Sequence, residues 1–160
     1  MVNGKILNKG EAGYTYLKKL FQSLDHFQKQ YHWLITDCEA YPQNPEHTER
    51  IFHSEDGGYT WISGEELTEI VMTDDFQWIW AVLSAFDPAY TKEDVLNYPL
   101  PCISSPDTSY KTSHKKGYFI QHPLASIELS AWDSSYTILL SKDETLLRLF
   151  GQKFPFSKDL

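Results

Sequence analysis

At 160 residues the chain is long enough for one domain that buries a core without help from disulfides or metals. An apolar fraction of 41% with 15% aromatics excludes an intrinsically disordered chain. A net charge of -8 argues against nucleic acid as a ligand, since phosphate neutralisation requires clustered Lys and Arg.

Met1–Gly10 lacks the apolar run of a secretion signal, and no stretch approaches the roughly 18 apolar residues that cross a bilayer. Two cysteines, Cys38 and Cys102, do not make a disulfide framework. The expectation is a cytoplasmic protein without membrane contact, its oligomeric state left open.

Lys5–Leu7 reads as a first strand, closed by the turn-prone Asn8–Gly13. Leu17, Leu20, Phe21, Leu24 and Phe27 recur at helical spacing and predict a helix over 14–27. Tyr31–Thr36 alternates as a strand, broken by Tyr41–Pro45. Arg50–His53 and Tyr59–Ile62 flank Ser54–Gly58, whose glycines suit a tight reversal, so a hairpin is expected. Ser63 with Glu66 forms a capping-box signature ahead of Leu67, Ile70 and Val71 on one helical stripe.

Phe76–Phe86 is apolar on both alternating sides, the pattern of a central strand covered on both faces. Thr91–Asp94 begins a short helix, stopped near Pro99 and Pro101. Cys102–Gly117 reads as a long loop, and Tyr118–Gln121, Ser126–Trp132 and Tyr136–Leu140 as strands, the last two joined at Asp133–Ser135. A second capping box at Ser141–Glu144 starts a helix through Leu146, Leu147 and Phe150, ended by Gly151. The whole, residues 1–160, reads as one α+β domain: a mainly antiparallel sheet with about four helices on one face or at its ends.

Charge is distributed unevenly. Asp37–Asp94 holds fourteen acids against Arg50 and Lys92, while the rest of the chain is net basic. Such a segment either solvates the fold or steers a basic partner.

The sequence carries no readable catalytic signature. None of the six histidines shows helical ligand pairing and neither cysteine belongs to a C-x-x-C, so no metal and no cofactor are expected. His47, Glu49 and His53, with Glu39 upstream, are read as ordinary surface residues. Asp37 and Glu39 flank Cys38 and oppose a thiolate. Glu65, Glu66 and Glu69 occupy the start of a helix, where its dipole favours acids, so catalysis with His53 as base is a secondary reading. Tyr59, Trp61, Trp78 and Trp80 fit core positions in strands, although exposed tyrosines and tryptophans also anchor interfaces.

The run Tyr59–Ile70, followed by the aromatic strand Phe76–Phe86, resembles an uncharacterised family of small bacterial proteins from Bacillus-like organisms. In size and acidity the chain also resembles immunity proteins, which mask basic secreted toxins. That resemblance implies a non-enzymatic protein whose basic protein partner meets Glu55, Asp56, Glu65, Glu66 and Glu69, with Tyr41, Tyr59 and Trp61 as anchors. The alternatives are a small-molecule binding or hydrolytic domain using the same region, and a regulatory or structural subunit.

Overall fold

The computed structural model describes residues 3–52, 57–103 and 118–160. Its described strands are β1 (Asn3–Leu7), β2 (His32–Ala40), β3 (Tyr59–Ser63), β4 (Trp78–Phe86), β5 (Ile127–Trp132), β6 (Tyr136–Ser141) and β7 (Lys158–Asp159). Its helices are α1 (Leu17–Ser23), α2 (Pro45–Phe52), α3 (Gly64–Thr73), α4 (Lys92–Leu96) and α5 (Glu144–Lys153), with a 3-10 turn at Phe27–Gln30. The strands form one sheet in the order β3-β2-β4-β5-β6-β1-β7, every pair antiparallel. This is the expected α+β architecture.

One face of the sheet carries the main core. Trp33, Ile35, Trp78, Leu83, Leu129 and Leu139 meet Leu17 and Phe21 of α1, Ile51 of α2, Leu67 and Ile70 of α3, and Leu147 and Phe150 of α5. Each large side chain so buried contributes on the order of 1.5–3 kcal/mol. The opposite face joins Leu34 and Phe86 to Val95 of α4 and to Ala125, with Tyr59 and Trp61 packed alongside. In β4, Val82, Leu83, Ser84, Ala85 and Phe86 are all fully buried, as a central strand covered on both faces should be.

Several elements depart from the sequence expectation, each for a specific physical reason. The first helix stops at Ser23 because Asp25 and His26 adopt left-handed backbone angles (φ 55 and 54) before the 3-10 turn. β2 continues to Ala40 through a bulge after Thr36, where Asp37 takes φ 48 and its carboxylate accepts the Ile103 N–H at 2.6 Å. No strand forms at Arg50–Phe52; those residues finish α2, and His53 lies outside the described residues. The cause is Asn44, which accepts the Glu46 N–H on its side chain (3.1 Å) and the His47 N–H on its carbonyl (3.0 Å), with Pro45 at the first helical position.

Tyr118–Gln121 is not a strand either. Gln121 directs its backbone N–H (2.8 Å) and side-chain Nε2 (3.1 Å) to the buried Glu128 carboxylate, leaving no ladder to form. The last helix is capped by Asp143, which accepts the Thr145 N–H at 2.8 Å, while Ser141 accepts the N–H of Asp143. Gly151 does not end it. A side chain there would press on Lys5, and Phe150 and Phe154 pack across the position with tilted rings, centroids 4.9 Å apart.

Two contacts hold the ends of this fold. At the junction of β3 and α3, Ser63 accepts the Glu66 N–H at 3.1 Å and the Gly64 N–H donates to the Tyr31 carbonyl at 2.9 Å. A methyl group on Gly64 would stand 2.7 Å from that carbonyl oxygen and closer still to the Gln28 oxygen. On the other face His122 is buried, its Nε2 in contact with the Val95 carbonyl at 3.0 Å and its Nδ1 accepting the Leu124 N–H at 3.2 Å. That pattern requires the neutral ring. Burial lowers the His122 pKa, opposed by the Val95 bond and reinforced by Lys142.

Gly64→Ala is expected to lower stability by roughly 2–4 kcal/mol, because the blocking atoms are backbone and the strands must shift, against about 1 kcal/mol for the lost cap in Ser63→Ala. Urea unfolding of the two variants checks the order. For His122, the neutral-ring contribution is complete above about pH 6.5 and is lost as pH falls below that value. Wild-type urea midpoints should therefore fall from pH 8 to pH 5 more steeply than those of His122→Gln.

Candidate functional site

Within the acidic segment α2 and α3 both pack on the main-core face of the sheet. α2 packs Ile51 into the main core and α3 packs Leu67, Ile70 and Val71 there, so the polar sides of both face solvent. Buried links join them. Asp74, just past α3, accepts the Asn44 N–H at 3.0 Å and contacts His47 Nδ1 at 3.1 Å, both side chains 7% exposed. Arg50 of α2 then reaches Glu66 at 3.0 Å and Glu69 at 3.7 Å on α3.

What remains at the surface is acidic. Glu46 and Glu49 of α2, Glu65 and Glu69 of α3, and Asp75 are all exposed, and Glu66 keeps 44% of its side-chain surface despite Arg50. Exposed ion pairs of this type contribute at most about 1 kcal/mol, so Arg50 fixes positions more than it adds stability.

The aromatic candidates lie elsewhere. Trp61 pairs across the ladder with Leu34 and Tyr59 with Thr36, which sends both rings to the sheet face opposite α3. The Trp61 ring stacks on His32 (centroids 5.6 Å, interplanar angle 16°) and leans on Phe86 at 5.7 Å. Both are half-buried, packed against the second core. Tyr41 stands past the end of β2, 69% exposed, and donates its hydroxyl to Glu39 at 3.1 Å; that bond raises its pKa.

Glu65, Glu66 and Glu69 are thus brought together, Tyr59 and Trp61 lie back to back with them across β3, and Tyr41 is separate. Glu55 and Asp56 lie outside the described residues, as does His53, the base in the hydrolytic reading. Among the described residues no group of three His, Cys, Asp or Glu is disposed to hold a metal. His47 is no surface histidine: it is buried against Asp74. Burial, then the Glu39 charge, pushes the Cys38 thiol up to about 12, which keeps it protonated and unreactive near neutral pH. The described Cys38 and Cys102 are both free thiols. No described helix is long and apolar enough to cross a membrane.

Sequence reasoning missed Asp74, His47 and Arg50, the residues that fix the ridge. The signal was present in Asn44-Pro45-Glu46, an N-cap, a first-turn proline and a first-turn acid, followed by His47 and Ile51 one turn apart. Glu128 was missed as well, because a charged residue inside an apolar strand run gives no sign of its partner.

Compared with protein-family models, curated proteins and solved structures, the chain matches none.

Asp74→Ala strands the His47 ring and the Asn44 N–H together, and should cost about 2–3 kcal/mol. Arg50→Ala should cost less than about 1 kcal/mol. Thermal or urea unfolding of the pair separates the buried link from the surface one.

Proposed function

We propose that the protein is a non-enzymatic binding protein of the immunity type, which engages a basic protein through the α2–α3 ridge. The observation that carries the reading is the placement of Glu46, Glu49, Glu65 and Glu69 on the solvent sides of two linked helices, with Arg50 the one Lys or Arg in α2 and α3. Their positions are set by Asp74, His47 and Gly64 before any partner arrives. Little ordering entropy is therefore lost on binding, and the field reaches beyond the surface to steer an oppositely charged protein.

Coexpression with the adjacent open reading frame tests the reading. A product that arrests growth alone, and not in the presence of this chain, is the expected result. The complex should weaken about tenfold or more as salt rises from roughly 50 to 500 mM, and Glu65→Lys with Glu69→Lys should weaken it to a similar extent. A complex indifferent to salt and to both reversals removes the proposal.

A further inference from the structure

The Gly64 N–H bonds to the Tyr31 carbonyl, and the β2–β3 register sets Trp33 opposite Ile62 and Ile35 opposite Thr60. Opposed residues in an antiparallel ladder alternate between bonded and non-bonded pairs. The bonded pairs are therefore Tyr31 with Gly64, Trp33 with Ile62 and Ile35 with Thr60. It follows that the backbone N–H and C=O of Trp61 and the N–H of Ser63 turn away from β2, outward from the sheet, while the Ser63 carbonyl, at the N-cap of α3, belongs to the helix. β3 is the terminal strand on this side, and no described residue pairs with the Trp61 N–H and C=O or with the Ser63 N–H. A row of outward backbone groups is a template for another strand.

The surroundings of this edge differ on its two sides. On the helix side stand the acids of α2 and of the first turn of α3, which begins at the residue after Ser63. On the other side the His32–Trp61 stack offers a flat aromatic surface. A strand added here would alternate its side chains between these two environments.

Resting on the acidic-ridge reading, we propose that the partner engages by strand addition: an extended segment of another protein, with basic residues alternating with aliphatic ones, pairs with the outer edge of β3. Its bases face α2 and α3, and its aliphatic residues cover Trp61. Charge complementarity selects this occupant. A second copy of the chain would bring acids against acids.

The test uses two capped synthetic octapeptides of equal charge, one alternating Lys with Val and one alternating Lys with Pro, titrated into the isotopically labelled full chain at low salt. Proline cannot supply the N–H groups of a ladder. The Lys-Val peptide should bind at least tenfold more tightly than the Lys-Pro peptide, and it should protect the Trp61 and Ser63 amides from hydrogen exchange. Trp61→Pro, which deletes an outward N–H and spares the β2 ladder, should abolish that difference, while Trp61→Ala should reduce it only in part.

Equal binding of the two peptides, lost on Glu65→Lys with Glu69→Lys, overturns strand addition and leaves the acidic ridge standing. No binding of either peptide overturns both. Protection of Trp61 and Ser63 without peptide, with dimers in solution, replaces the basic partner by a second copy and overturns the proposal. Should Trp61→Pro fail to fold, the comparison of the two peptides on the wild-type chain carries the test alone.

Discussion

The direction in which α3 leaves β3 is dictated by a contact too close for a methyl group. The Gln28 and Tyr31 carbonyl oxygens press on Gly64, and Gln28 is itself held from two sides. Its carbonyl accepts the Trp33 indole N–H at 2.9 Å, and its side chain donates to Thr68 at 2.9 Å, one turn into the same helix. Thr68 in turn donates to the Gly64 carbonyl at 2.6 Å. The 3-10 turn, the central tryptophan and the start of α3 therefore form one interlocked unit whose geometry tolerates a single residue type at position 64. Everything on the acidic side inherits its position from that unit. α3 places Asp74, Asp74 receives Asn44 and His47, and α2 follows.

The same junction separates two kinds of surface. β3 is short, five residues, and it passes directly into α3. Side chains that alternate along the strand go to opposite faces, whereas the helix after it lies on one face only. Acids on α3 and rings on β3 cannot therefore form a single mixed patch of the kind that the linear sequence suggests. They flank an edge instead, and among the described residues the polar backbone of that edge lies between them.

Much of the scaffold was legible in the sequence because periodicity reports burial. β4, α3 and the β5–β6 hairpin have unambiguous alternation or helical stripes, and they sit close to where those patterns put them. The errors at Arg50–Phe52 and Tyr118–Gln121 have a cause of a different kind: polar contacts that periodicity does not encode. Arg50–Phe52 looks β-like in isolation but belongs to a helix fixed by an aspartate far along the chain. Tyr118–Gln121 alternates like a strand, yet Gln121 turns to a buried carboxylate. The acidity of the candidate site was visible as composition. Its division between two faces was not, since that depends on which side of β3 the following helix packs.

The Gly64 contact also bears on how relatives of this chain would diverge. An exposed acid such as Glu49 can be exchanged at small cost in stability. Position 64 has no such latitude, nor does the Gln28 side chain that spans to Thr68. Selection should therefore hold the uncharged Gln28–Gly64–Thr68 triplet more tightly than the charges beside it. A distant relative would then be recognised by three unremarkable residues, long after its acidic composition had drifted away.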